Sequence, residues 1–315
     1  RLPPVMRPIG DVEEDELAIG TLGASEDELA IPPEIPSLSR QMMLARLILS
    51  REDGPDDPVR ALQLAHELGL LLDQVHTEGL SFDGLDGLVP EEYAAHWQLT
   101  LDFLRIVTDN WPKILAEQGL IDPAERRNLL IGALAERWTE TPPPGPVIAA
   151  GSTGSIPATA NLLRVIARLP QGVVVLPGLD TGMDDRSWEE LDPGHPQFGM
   201  KQLLERMGSD RYEVELWPIS SSPDGASTQE ARVALMSAVL RPAETTDEWP
   251  TLPVEPEVGL AGVSMVESPG LAEEAGTIAL MMRETLETDG QTAALVTPDR
   301  DLARRVAAEL QRWHI

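Results

Sequence analysis

From about residue 38 to residue 139 the apolar positions recur at helical spacing. Leu44, Leu47 and Ile48 fall on one helical face, and Leu64, Leu68, Leu71, Leu72 and Val75 fall on another. Two more helices are predicted, one over 90–107 with Pro90 near its start and one over 125–138. The entry IPPEIPSLSR predicts a helix beginning near Ser37 or Ser39, with those hydroxyls as caps. Trp97, Trp111 and Trp138 read as packing residues. The whole block is expected to be an all-helical subdomain.

TPPPGP at 141–146 breaks this pattern. A short apolar strand, Val147–Ala150, is followed by GSTGS and a helix over 156–169. Gln171-Gly172 then turns the chain into a β-branched run, VVVLPGL at 173–179, that predicts a fully buried strand. Strand, helix and strand in so short a stretch make a βαβ unit, hence a parallel sheet. Next come a long polar loop at 180–199, a short helix at 201–207, a strand at 214–218 and a helix at 230–240. The proline-rich acidic stretch 241–257 predicts a linker and domain boundary. Beyond it the pattern starts again, with a strand at 263–267 and a helix over 270–287. Ser268 is placed to cap that helix, with Pro269 in its first turn and Asp289-Gly290 at its end. A strand at 292–297 and a helix over 299–313, capped by Thr297, complete the repeat. Leu302, Val306 and Leu310 share one face of this last helix.

Charge narrows the range of partners. The net charge is −29, which favours solvation at the cost of self-repulsion. No Lys/Arg cluster is dense enough to form the basic patch that nucleic-acid surfaces need. Residues 11–30 carry many acids and no base, and read as a solvated loop. The absence of cysteine excludes disulfides, cysteine-ligated zinc, iron–sulfur clusters and thiol chemistry within these residues. His66, His76, His96, His195 and His314 are scattered without metal-ligand spacing and read as structural. No run of 18 apolar residues predicts a membrane span, and no signal-peptide pattern is present. Both ends of the chain read as cut from a longer protein.

The sharpest chemical feature is AAGSTGSIP at 149–157. A strand, a glycine-rich turn and a helix N-terminus can form an anion site from Gly151, Ser152, Thr153, Gly154 and Ser155. The pattern is not a P-loop, since no lysine follows. It resembles a dinucleotide fingerprint, with Asp180 placed like a ribose-binding acid, but Pro157 stands where the third glycine belongs. A tight β–α turn whose glycines supply unusual dihedrals is the simpler reading; a nucleotide- or NAD(P)-binding Rossmann-like enzyme is the alternative. The acids Asp180, Asp184, Asp185, Glu189, Glu190 and Asp192 form a candidate divalent-ion cluster without EF-hand spacing. Ser152, Ser155 and Ser187 lie in no GxSxG motif. Arg300 and Arg304 on the last helix are candidate DNA-phosphate contacts. The competing reading pairs these arginines, with Arg305 and Arg312, to nearby acids such as Asp301 and Glu309.

Several stretches together resemble the AddB family, the alphaproteobacterial-type helicase–nuclease subunits of double-strand-break repair. They are RPIGDVEEDELA (7–18), IPPEIPSLSRQMMLARLIL (31–49), IAAGSTGSIPATANLLRVIARLPQGVVVLPGLD (148–180), SWEELDPGHPQFGMKQLLERMG (187–208), EARVALMSAVLRPAETTDEW (230–249) and TAALVTPDRDLARRVAAELQRW (292–313). The resemblance implies an α/β fold: a degenerate superfamily 1 helicase-like, RecA-like parallel sheet with an inserted helical subdomain. On that mapping 1–37 ends a first RecA-like segment and holds the acidic loop, and 38–145 is the inserted 1B-like subdomain. Residues 146–241 complete the first RecA-like domain, 242–259 are the linker, and 260–315 begin the second RecA-like domain. It further implies a cytoplasmic protein that processes DNA ends with the AddA helicase–nuclease subunit as partner. The family's nuclease carboxylates, magnesium and iron–sulfur cluster would all lie outside this segment, so no cofactor is expected within it. The strand at 147–150 lies about where a Walker B strand would. It ends in Gly151-Ser152-Thr153-Gly154 rather than in magnesium-holding acids. Neither an ATPase nor a nuclease site is legible.

Overall fold

The computed structural model describes residues 6–9, 31–51, 55, 57–82, 103, 104, 106–217 and 226–315. Most of the predicted helix at 90–107, with Trp97 and His96, lies outside these residues, as does the whole acidic run 11–30. The described structure is mostly helical with a small two-stranded parallel sheet, an α/β mixture. No described helix is long and apolar enough to cross a membrane. The chain divides into two compact units. One comprises Arg1–Gly225 and Ala234–Val254, the other Ala226–Val233 and Glu255–Ile315.

The first unit opens with helices α1 (Ser37–Leu49) and α2 (Pro58–Thr77). Ala61, Ala65, Leu68 and Leu72 make the buried stripe of α2 and meet Leu44 and Ile48 of α1. Small residues at two of those positions let the helices pack closely. Asp57 caps α2 by accepting from the Val59 amide at 2.9 Å, with Pro58 in the first turn. The expected serine cap of α1 does not form: Pro36 is the N-cap, and Ser37 and Ser39 lie inside the helix. A π-helical turn, Ile106–Asn110, leads into α3 (Trp111–Gln118), which Gly119 ends with a φ of 64°. Helix α4 (Pro123–Glu140) follows at once. A parallel bridge ties the entry of α4 back to the start of the unit: Ile35 N–H donates to Ile121 O at 2.9 Å, and Ile121 N–H to Pro33 O at 3.1 Å.

The βαβ unit forms as expected. Strand β1 (Val147–Ala150) pairs in parallel with β2 (Gly172–Val175), and α5 (Pro157–Ile166) makes the crossover. Its core is shared with the helical block. Leu130, Ile131, Leu134 and Ala135 of α4 pack with Ala149, with Leu162, Leu163 and Ile166 of α5, and with Leu203 and Met207. The breaker at 141–146 therefore separates two elements and not two cores. Strand β2 is shorter than the predicted 173–179 and is not fully buried. Pro177 lacks an N–H and Gly178 has a φ of 65°, so the ladder cannot continue. Among the described residues, helices cover one sheet face. Ile148 and Val173, partners in register, stand on the other face at 63% and 44% exposure.

The polar loop 180–199 contains a short helix, α6 (Asp185–Glu189), and α7 begins at Phe198 and ends at Met207. The expected strand at 214–218 does not form over its described residues 214–217, which find no partner strand. Helix α8 (Ala226–Val239) covers the predicted helix at 230–240. The expected linker proves ordered: Ala243–Thr251 is a 3₁₀ helix packed within the first unit, with Thr245 fully buried. Arg241 pairs with Asp184 at 2.8 Å and with Glu248 at 2.5 Å, and the Trp249 indole donates to Ala238 O at 2.8 Å. Prolines and acids resemble a tether in sequence, but here Asp247 and Glu248 pair with arginines of the first unit.

The second unit holds α9 (Pro256–Gly259), α10 (Leu271–Leu286) and α11 (Arg300–Arg312). Ala275 and Ala279 of α10 bury against Leu302 and Val306 of α11, with Leu295, Leu310 and Trp313 around them. The expected strands at 263–267 and 292–297 carry no regular structure. Met265 and Val296 are each 93% exposed. Apolar, β-branched sequence prepares a strand, but ladder hydrogen bonds must complete it. Caps also differ from expectation. Gly270, without a side-chain bond, replaces Ser268 at α10. Asp299 caps α11 through the Asp301 and Leu302 amides at 2.8 and 3.1 Å, while Thr297 accepts from the Asp299 amide.

Candidate functional site

The turn between β1 and α5 is built by two left-handed glycines. Gly151 continues the ladder by donating to Val175 O at 3.1 Å, then reverses the chain at a φ of 79°. Ser152 Oγ accepts from the Gly154 amide at 3.2 Å. Gly154, at a φ of 61°, lies against Leu203 of α7, and a Cβ there would sit 2.6 Å from Leu203 Cδ1. Gly154 is thus demanded twice, by dihedral and by packing. Ile156 is the N-cap of α5 and contributes no side-chain bond, and Pro157 occupies the first turn. What remains for a ligand is the hydroxyls of Thr153 and Ser155 and the backbone amides at the positive end of α5. No charged residue occurs from Thr141 to Leu163. The turn can donate weak hydrogen bonds to an anion, but supplies neither a carboxylate for magnesium nor a cation for a triphosphate.

The other predicted features resolve into structural roles. Asp180 Oδ1 accepts from the Gly182 and Met183 amides, both at 2.9 Å, so the side chain shapes its own turn. Asp184 caps α6 through the Ser187 amide at 2.9 Å, takes the Ser187 hydroxyl at 3.0 Å and pairs with Arg241. Burial pulls its pKa upward, but those bonds and the Arg241 charge hold it below the ordinary carboxylate range. Asp192 Oδ1 accepts from Gly194 N–H at 2.8 Å. Asp180, Asp184 and Asp192 of the acid cluster thus serve caps and turns, and among the described residues no group of three or more metal-ligating side chains converges. Ser187 is fully buried and bonded to Asp184 and Thr245. His195 Nδ1 accepts from the Gln197 amide at 3.0 Å, so Nε2 carries the proton toward Leu240 O.

Arg300 and Arg304 lie one turn apart on α11, both exposed. Arg304 pairs with Asp301, and Arg312 with Glu309 at 2.7 Å. The arginines of this helix alternate with acids instead of forming a basic stripe.

Two charge centres were not legible in sequence. The Arg211 guanidinium is buried between the rings of Trp188 and Tyr212, 5.1 and 4.6 Å from their centroids, and pairs with Asp185. The Tyr212 hydroxyl, donating to Asp185 Oδ1 at 2.6 Å, holds that carboxyl below its ordinary range, and Arg211 adds to the effect. This centre floors a cavity of about 390 Å³ that Lys201, Leu204 and Glu205 also line. Lys201 Nζ is committed to the carbonyls of Trp188 and Glu189, both at 2.9 Å. The second centre is Asp122. It precedes Pro123 and reads as a helix cap, yet its side chain turns inward, away from its own helix. Arg40 Nε lies 2.7 Å from Asp122 Oδ1, and Trp111 Nε1 donates to Oδ2 at 2.7 Å. The only advance signal was an Asp, an Arg and a Trp within a helical block, which specifies no pairing. No family model matches the chain, and no curated protein or solved structure shows significant similarity to it.

Proposed function

We propose that this chain is a non-catalytic, helicase-like scaffold segment of an AddB-type subunit, acting with an AddA-type motor in the processing of DNA double-strand ends. The observation that carries this reading is the charge-free turn Gly151–Ser155 at the head of a parallel βαβ unit. A motor strand in that position delivers acids to magnesium. This one delivers two left-handed glycines, one of them packed against Leu203. A RecA-like ancestry for the βαβ unit and the inserted α1–α4 block rests on the sequence resemblance, and the parallel sheet is compatible with it. The dinucleotide-enzyme reading is weakened by Pro157 at the third glycine position and by the engagement of Asp180 with its own turn.

Co-expression with a tagged AddA-type subunit tests the proposal. The expected result is a stable complex in size-exclusion chromatography with light scattering. Clean separation of the two proteins at micromolar concentration would count against it.

A further inference from the structure

The Asp122 carboxylate is 1% exposed and sits where four helices converge. Arg40 reaches it from α1, Trp111 from α3, and His76 from α2, while Asp122 itself opens α4. His76 Nε2 stands 3.6 Å from Asp122 Oδ2 with its side chain 24% exposed. The charge count around the node is uneven. Arg40 is shared between Asp122 and Asp73, whose oxygen lies 2.9 Å from Arg40 Nη1. One buried guanidinium therefore faces two carboxylates, and a proton on His76 is what balances the set. Helix α4 reinforces the arrangement. The Asn128 side chain donates to His76 O, Arg127 Nη2 donates to Thr77 Oγ1 at 3.0 Å, and Glu125 adds negative charge facing the imidazole.

We propose that His76 and Asp122 form a proton-controlled clamp, closed when the imidazole is protonated, that fastens the end of α2 to the entry of α4. The Asp122 carboxylate raises the pKa of His76, and burial lowers it by less. A group whose pKa is raised by folding contributes stability that is complete below its ordinary value of 6.5 and is lost as pH rises through the folded value. Asp122 runs the opposite way. Burial works against its charge, but His76, Arg40 and Trp111 hold it below the ordinary 3.8, so its contribution is lost only in acid. Raising the pH through the folded value of His76 therefore opens the clamp on the histidine side and leaves the Arg40–Asp122 pair intact.

The test compares urea unfolding of the intact chain and of His76→Gln at pH 6 and pH 8.5. Glutamine keeps a donor near Asp122 but cannot take the charge. The wild-type unfolding constant should rise about three- to tenfold more than that of the variant over this interval. In parallel, the His76 ring resonances of the wild-type protein should titrate with a midpoint above 6.5, and amide exchange near the end of α2 should quicken as that proton leaves. Equal pH dependence in the two proteins, or a His76 midpoint at or below the ordinary value, would overturn the proposal. The resonance titration needs no variant, so it decides the matter even if His76→Gln fails to fold.

Discussion

Asp122→Ala is expected to cost the first unit about 3–5 kcal/mol, the range found when one partner of a buried ion pair is removed. The cause is what the substitution leaves behind. Arg40 is 8% exposed, its Nη2 has no hydrogen-bond partner, and its remaining carboxylate, Asp73, is 42% exposed. Trp111, 1% exposed, also loses the acceptor for its indole N–H. Removing both charges in the pair Arg40→Met with Asp122→Leu should cost much less than Asp122→Ala alone, because no uncompensated charge remains. Urea midpoints at neutral pH measure both. A single mutant no worse than the double would show that the node is not a buried ion pair in solution.

The second large effect is expected at Gly172, the first residue of β2. A Cβ built there lies 1.8 Å from Ile166 O and 2.9 Å from Leu169 Cβ. The obstruction is backbone at the end of α5, not a side chain that can swing aside, so Gly172→Ala must displace either the helix end or the strand. Overpacking of this kind costs about 1–3 kcal/mol and occasionally more. The upper part of that range is expected here, since Gly172 pairs with Val147 and its displacement unzips the register Val147–Ala150 against Gly172–Val175. A fall in thermal midpoint with increased cleavage between α5 and α6 in limited proteolysis is the signature. Unchanged stability would mean that this crossover is looser than its contacts imply.

Helices were well legible because their signal is internal to the segment. The spacing of Leu64, Leu68, Leu71, Leu72 and Val75 places the helix α2, and Leu68 and Leu72 are buried as that spacing implies, but Ala61 and Ala65, which complete the buried stripe, carry too weak an apolar signal to be picked out. The crossover pair was legible because a glycine turn, a helix and a β-branched run stand close together. Strands at 214–218, 263–267 and 292–297 were over-read, because a strand is completed by a neighbour that its own residues do not encode. The linker was misread for a related reason. Composition at 241–257 matches a tether, but Arg241, Thr245 and Trp249 each find a partner in the first unit. The tight β–α turn at Gly151–Ser155 was legible from its two glycines, which take the left-handed dihedrals. The reason Gly154 must be glycine, its contact with Leu203 some fifty positions away, was not. Arg40, Asp122 and Arg211 went unrecognised because long-range pairing leaves no local pattern.

The turn at the head of α5 decides whether this chain can hold a nucleotide. Isothermal titration of the chain with ATP and excess magnesium is the direct measurement. The prediction is no saturable heat at micromolar nucleotide and no phosphate release, because from Thr141 to Leu163 no side chain carries a charge that could hold metal or phosphate. Micromolar binding that is abolished by Gly151→Val, accompanied by turnover, would contradict it.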